Sequence, residues 1–401
     1  ELHAILGSER KLLGVIKKEL LEIRDAYGID RRTVIQDEVE EIKVSLEVMV
    51  APEDVLVALS GDGYIKRTSK LSFVRSGGEI ESAGLKEGDV LRELLEVNTI
   101  DSLLLFTSKG YYFMLPVHQI PEAKWKDTGT ALVNVVPIAK DDRVVSVVPV
   151  RDFREPGRTL LFATKRGQIK RTALEEYATS RTMAIAALKL AEGDEVVSVW
   201  LDGGSGASSS GGVARSPDGG SGASSGGVAL SPDGGALSFG DIVCVTRLGQ
   251  SIRFSGREVN PMGRVAAGVR AVSLRDGDEV IAALPVVEDE GEILVISDLG
   301  YAKRSIVADY PRQGRGGKGL ATFEFKEGKR VKPNGTRLAA AAYVREEARY
   351  LAVTRSGKTA AFTSEQVPIA DLRTPGVPLV ALDKGDAVVS LVRLPGLAGE
   401  P

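Results

Sequence analysis

The chain has 401 residues, 43% of them hydrophobic and 27% charged, with a formal net charge of −3, so it holds enough apolar material for a full core and for more than one. The single cysteine, Cys244, forms no internal disulfide, and with only His3 and His118 beside it there is no cluster at zinc-ligand spacing, which excludes metal and Cys/His chemistry. No apolar run reaches the roughly 18 residues of a membrane span. The opening "ELHAILGSER" lacks the basic-then-apolar order of a signal peptide, so the reading is a cytoplasmic protein without a membrane partner. A pI near 5.8 requires that any nucleic-acid binding use a local concentration of basic charge.

In chain order, Ile5, Leu6, Leu12, Leu13, Ile16, Leu20, Leu21 and Ile23 recur at three- and four-residue spacings among charged residues. They predict an amphipathic helix that ends near Gly28, where a left-handed glycine cap is expected. A chain opening in mid-helix without an initiator Met reads as part of a longer protein. Residues 1–33 are assigned to this helical tail and 34–51 to a connecting segment.

From about residue 50 the texture becomes short apolar strands punctuated by glycine. An apolar strand, Thr or Ser, two residues, Gly and a polar or basic strand recur six times: "ALSGDGYIKRT", "LFTSKGYYFML", "FATKRGQIKRT", "CVTRLGQSIRF", "VISDLGYAKRS" and "AVTRSGKTAAF". The glycines at 63, 110, 167, 249, 300 and 357 supply the positive φ of a tight hairpin, and the hydroxyl three residues earlier bonds back to the turn. Most units close on a polar turn and an apolar strand, as in "LAEGDEVVSVWL"; the fifth departs, with "FKEGKRVKPNGTRLAAAAYV". About 50 residues and four strands per unit is the size of a propeller blade. Residues 52–396 are therefore read as six blades of a mainly β fold, with 397–401 a tail. One interval is long because residues 203–240 hold 13 Gly, 10 Ser and 5 Ala, a composition expected to form a disordered, dispensable loop in blade four.

No catalytic constellation stands out. His3 lies in the helix and His118 at a strand edge, and the aspartates of the closing turns, Asp89, Asp194, Asp278 and Asp386, recur blade by blade as structural groups do. The cations also recur. Lys66 and Arg67, Lys170 and Arg171, Arg253, and Lys303 and Arg304 follow hairpin glycines, so repetition predicts a curved basic stripe suited to a bent polyanion. Charge is densest from Lys303 to Arg337, with ten basic and three acidic residues. Within it "RQGRGGKGL" combines Arg312, Arg315 and Lys318 with glycines at 314, 316, 317 and 319, a loop whose backbone amides could approach phosphates. A protein-interaction platform is the alternative reading, and a low aromatic content disfavours a lectin.

The sixfold hairpin, with "LPVHQIPEAKWKDTG", "TKRGQIKRT", "MGRVAAGVRAVSL" and "DLGYAKRS", resembles the C-terminal domain of the A subunit of bacterial type IIA topoisomerases, DNA gyrase and topoisomerase IV. The resemblance implies a six-bladed β-pinwheel, with strands exchanged between blades, that binds and bends double-stranded DNA on its outer rim, and it adds Lys124, Lys126, Arg264 and Arg270 to the expected contacts. The helix looks like the end of the breakage-reunion domain. The family's catalytic tyrosine lies outside this chain, so no catalytic residue is assigned and no cofactor is expected in it. The holoenzyme would use ATP and magnesium, with B subunits joining two A subunits in an A2B2 assembly close to the nucleoid. Gln313-Gly314-Arg315-Gly316-Gly317-Lys318-Gly319 matches the family's wrapping box at six of seven positions, but in the fifth blade instead of the first. With Trp125, Lys126, Asp127 and Gly129 echoing a blade-two motif, the chain resembles topoisomerase IV of Gram-positive type; a gyrase-type wrapping domain is the alternative.

Overall fold

The computed structural model describes residues 2–28, 50–78, 83–202, 213–215, 240–287, 289–326, 328 and 331–394. It divides into a helical N-terminal unit and a β unit. The first holds α1, Leu2–Leu6, and α2, Glu9–Tyr27. Gly28 closes α2 through an N–H bond to the Arg24 carbonyl, but at φ −64°, so the left-handed cap expected there is not formed. None of the α2 side chains is buried. Leu13, Leu20 and Ile23 are each more than half exposed. The connecting segment 34–51 and the tail 397–401 lie almost wholly outside the described residues.

The β unit is the predicted set of six blades. Each is built on one hairpin: Asp54–Ser60 with Tyr64–Ser69, Ser102–Thr107 with Tyr111–Pro116, Thr159–Thr164 with Gln168–Ala173, Asp241–Thr246 with Gln250–Ser255, Glu292–Ser297 with Tyr301–Ile306, and Arg349–Thr354 with Thr359–Thr363. The six turn glycines have φ between +76° and +83°. The hydroxyls of Ser60, Thr107, Thr164, Thr246, Ser297 and Thr354 accept from the backbone N–H four residues on in every blade, so the recurring Thr/Ser…Gly signature is a covalently local turn lock. The first strand of each hairpin also pairs with an apolar inner strand, such as Leu91–Asn98 in blade one and Val280–Val286 in blade four. Blades pack face to face, so these strands are buried on both sides and their sequences run apolar without alternation.

The closing-turn aspartates have structural roles. Asp89, Asp194, Asp278 and Asp386 each accept from an N–H of the hairpin turn in their own blade and from the following N–H. Blade five, whose closing turn lacks this residue, reverses the arrangement: Asp298 in the hairpin turn accepts from the backbone and hydroxyl of Thr336. The carboxylate moves across the bond and the tie is kept.

Neighbouring blades exchange strands. After each hairpin the chain makes a short helical turn, crosses outward, and adds a two-residue strand to the blade before. Thr130–Ala131 pairs with Ile65–Tyr64, Ile185–Ala186 with Tyr112–Tyr111, Val269–Arg270 with Ile169–Gln168, Leu320–Ala321 with Ser251–Gln250, and Val377–Pro378 with Ala302–Tyr301. Blade one, whose hairpin runs into α3, Lys70–Arg75, meets blade six through packing instead. Leu56, Ala58, Phe73 and Leu94 form one cluster with Leu351, Val353 and Val392, which closes the ring. Within the insert, Val213–Arg215 departs from the disordered reading. It forms a strand on the inner strand of blade five, Val213 opposite Ala342; the rest of 203–240, apart from Gly240, lies outside the described residues.

Four of the five crossings have glycine immediately before the exchanged strand. Gly129, Gly268, Gly319 and Gly376 have φ of +87°, +92°, +70° and +67°, and a Cβ on any of them would fall within 2.8 Å of a backbone oxygen of the preceding blade. At Gly319 the Ser251 oxygen would be only 2.2 Å away. Gly319→Ala combines a disfavoured φ with this clash and is expected to cost about 1–3 kcal/mol. Gly314→Ala, at a position open to solvent, should stay within about 0.5 kcal/mol of the parent, with urea unfolding as the measurement.

Candidate nucleic-acid interface

The paired cations after the hairpin glycines are not the surface stripe expected of them. Lys66, Lys170, Arg253 and Lys303 are buried, each at most 3% exposed. Their strands lie between two packed blades, so a side chain that a lone sheet would turn to water here enters the joint with the next blade. Lys66 Nζ donates to the carbonyls of Trp125 (2.5 Å) and Asp127 (2.7 Å) and lies 4.9 Å from the Trp125 ring centre. Lys170 Nζ donates to the carbonyls of Ala187 (2.9 Å) and Arg264, and Lys303 Nζ to those of Asp371 (2.5 Å) and Leu372 (2.6 Å). All of these carbonyls belong to crossing segments or their ends.

The residue after the lysine in blades one and five, and Arg253 at the same register in blade four, makes similar ties. Arg253 donates to buried Asp241, to Asp289 and to the carbonyls of Val307 and Tyr310. Arg304 donates to Glu292 and the Val367 carbonyl. Arg67 is paired with Glu122 at 3.6 Å, only 17% of its side chain exposed, and Arg171 is half-buried. Arg67, Arg253 and Arg304 are thus held in ties, while the Arg171 Nε is buried without a hydrogen-bond partner among the described residues.

Among the expected contacts, the exposed cations lie on the crossings themselves. Lys124, Lys126, Arg270, Arg312 and Lys318 are exposed, and Arg264 and Arg315 are half-buried. Two further exposed cations, Arg181 and Arg373, were missed by the sequence reading. Each stands four residues before its exchanged strand, the register of Lys126, and that spacing could have found them. Local charge differs among crossings. Residues 121–131 balance Lys124 and Lys126 with Glu122 and Asp127, and 368–378 balance Arg373 with Asp371; 178–186 carry Arg181, 260–270 carry Arg264 and Arg270, and 311–321 carry Arg312, Arg315 and Lys318, all without a carboxylate.

These three unbalanced crossings are contiguous. Arg264 donates to the Ala186 carbonyl. Arg315 Nη1 donates to the Arg270 carbonyl at 2.5 Å and the Gly316 N–H to that of Ala271 at 2.8 Å. Acidic groups border the arc, since Glu176 accepts from the Arg264 N–H and Glu258 from the Arg315 N–H, and Arg312 is held by Asp241 at 2.9 Å. The box-like loop has largely structural glycines. Gly319 is the exchange glycine, Gly316 turns at φ +84°, and a Cβ on Gly317 would meet Ile252 at 3.3 Å. Gln313 donates its N–H to the Arg253 carbonyl. Only Gly314 is open, and Lys318 alone among the loop's cations has no bond to another described residue.

Burial pushes the lysine ammonium groups down, Lys66 and Lys303 to about 8 and Lys170 to about 7. Between those values and the ordinary 10.5 the unfolded chain binds more protons than the native one, so this contribution to stability grows as pH rises through that window and is lost as pH falls toward 7. Urea unfolding between pH 6.5 and 9.5 should show the trend, and the combined Lys66→Met, Lys170→Met and Lys303→Met variant should flatten it.

A family model described as the DNA gyrase C-terminal domain, β-propeller, matches residues 101–151, 158–199, 240–286, 291–332 and 351–395, more than half of the chain. The A subunit of DNA topoisomerase 4 from Bacillus subtilis is 34% identical over 358 residues, 89% of this chain and 39% of that protein. The DNA gyrase A subunit of Lawsonia intracellularis is 33% identical over 400 residues, 98% of this chain and 44% of that protein. The chain thus spans about two fifths of the length of these relatives. Among solved structures, the C-terminal domain of a DNA topoisomerase IV superposes with TM-score 0.67 at 27% identity, covering 86% of this chain and 95% of that one. A DNA gyrase A C-terminal domain superposes with TM-score 0.58 at 19% identity over 85% of this chain and 99% of that one, a likeness of fold. Six blades with exchanged strands, joined to a match over five of them, place this chain in the family of DNA gyrase C-terminal domains, whose members include the A subunits of gyrase and topoisomerase IV.

Proposed function

We propose that the β unit binds and bends double-stranded DNA along its crossing segments, with the arc from Arg181 through Arg264 and Arg270 to Arg315 and Lys318 as its strongest part. The observation that carries this reading is the run of three successive crossings without a carboxylate, bonded to one another, in a chain of net charge −3. Lys124, Lys126 and Arg373 extend the path at lower density. Such contacts read phosphate and not base. In the complete enzyme the domain would guide DNA for ATP-dependent strand passage, in relaxation and decatenation, by two A subunits with two ATP-hydrolysing B subunits and magnesium, in the cytoplasm at the nucleoid.

Topoisomerase IV is favoured over gyrase. The gyrase-type box sits in blade five, and there most of its glycines serve the crossing, while the blade-one counterpart "FVRSGGEIESAGLKEGD" has no second basic cluster. A loop built to hold a crossing contributes local charge to a rim and not a separate wrapping element.

The Arg315→Gln/Lys318→Gln variant should weaken binding to duplexes of any sequence and lower the log–log salt slope by roughly 0.9 for each phosphate contact removed. When a nicked circle is closed with the protein bound, the variant should leave the handedness of any linking-number shift unchanged. A variant that abolishes that shift would favour the gyrase-type wrapping reading, and parent-like affinity and slope would favour a protein-interaction platform.

A further inference from the structure

The buried lysines alternate around the ring. Three residues after the hairpin glycine stand Lys66, Lys170 and Lys303 in blades one, three and five, and Phe113, Ile252 and Ala360 in blades two, four and six. A cation in an apolar joint is costly unless its donors are met, and each of these lysines meets two backbone carbonyls. In two of the joints these carbonyls adjoin exposed rim cations, and in the third they tie two crossings together. Trp125 and Asp127 bracket Lys126, Leu372 precedes Arg373, and Lys170 holds the Arg264 carbonyl in one crossing together with the Ala187 carbonyl at the end of another. Lys170 thus lies beneath the positive arc and joins two of its three crossings.

We infer that Lys170 is a positioning residue for DNA binding: buried and out of reach of phosphate, it fixes the backbone of crossings 178–187 and 260–270 so that Arg181 and Arg270 are presented in register. The inference rests on the rim reading above. The groups around its ammonium are Tyr177, whose hydroxyl lies 3.4 Å away and itself donates to the Ala187 carbonyl, the Phe162 ring at 5.2 Å, and the charges of Glu176 and Arg264. No exposed carboxylate neutralises it from the solvent side by direct contact among the described residues. Lys66 under Lys126 and Lys303 beside Arg373 are the same device in the other two joints.

A double-mutant cycle on the 401-residue chain tests this, with a short duplex as the probe and binding measured across a salt titration. Lys170→Met keeps the side-chain length and removes the ammonium that donates to both carbonyls and to the Tyr177 hydroxyl. Arg270→Gln alone should weaken binding by about threefold to tenfold, as the loss of one phosphate contact does. Lys170→Met, which releases both Arg181 and Arg270, should weaken it by at least that factor, and the double variant no further than Lys170→Met alone, because the Arg270 contact has already been lost. Lys318→Gln, on the crossing that Lys170 does not hold, should instead multiply with Lys170→Met. Parent-like affinity in Lys170→Met, or full multiplication with Arg270→Gln, would overturn the positioning role while leaving the rim intact. Parent-like affinity in both Arg270→Gln and Lys318→Gln would reject the rim, and the inference with it. If Lys170→Met loses its cooperative melt, the cycle Lys66→Met with Lys126→Gln decides by the same criteria.

Discussion

A strand of two residues, passed from each of blades two to six to the one before it, is the contact on which the rest of the β unit depends. It covers the outer hairpin strand, whose N–H and C=O groups would otherwise stand open at a sheet edge. It also forces a backbone to cross close over its neighbour, and two needs follow. The close approach leaves no room for a side chain, so glycine occupies four of the five crossings. The crossing carbonyls, turned toward the joint and away from water, need donors, and lysine and arginine from the preceding hairpin supply them.

That division sorts the basic residues into two classes with opposite physics. In the joints, cations are desolvated and compensated by carbonyls and by carboxylates such as Asp241. Their worth lies in the penalty of leaving the joint unsatisfied, and their removal exposes the crossing carbonyls to the same penalty. On the crossings, Lys126, Arg181, Arg270, Lys318 and Arg373 are exposed and extend from backbone that the joints hold fixed. An array of phosphates favours the second class, since contact releases counterions without first breaking a structural bond. The two classes are adjacent in space, so rigidity and charge on the rim arise from one device.

Much of the fold was legible in the sequence because its causes are local. The hairpin turn needs a positive φ and a hydroxyl three residues earlier, and all six copies state both in consecutive residues. The closing aspartates likewise bond to a turn 27 to 30 residues earlier in their own blade, and even the exception in blade five marked itself by its altered turn. The left-handed cap at Gly28 and the uniform disorder of the insert were read from composition and residue type alone. Neither was set by such a pattern: α2 ends at an ordinary φ, and Val213–Arg215 finds the edge of an alanine-rich inner strand.

The candidate site was legible only in part, for a physical reason. Sequence determined which residues carry charge, how often they recur and that they follow the hairpin glycines. It could not say which side of a strand faces water, because alternation carries that information only when one face of a sheet is solvated, and here both faces are packed. Lys66, Lys170, Arg253 and Lys303 therefore looked like rim charges and are joint ties, while Arg181 and Arg373, far from any hairpin glycine in sequence, reach the rim. Inside and outside were decided by how blades stack and exchange strands, a relation between residues as far apart as Lys170 and Arg264 that exists only once the ring has formed.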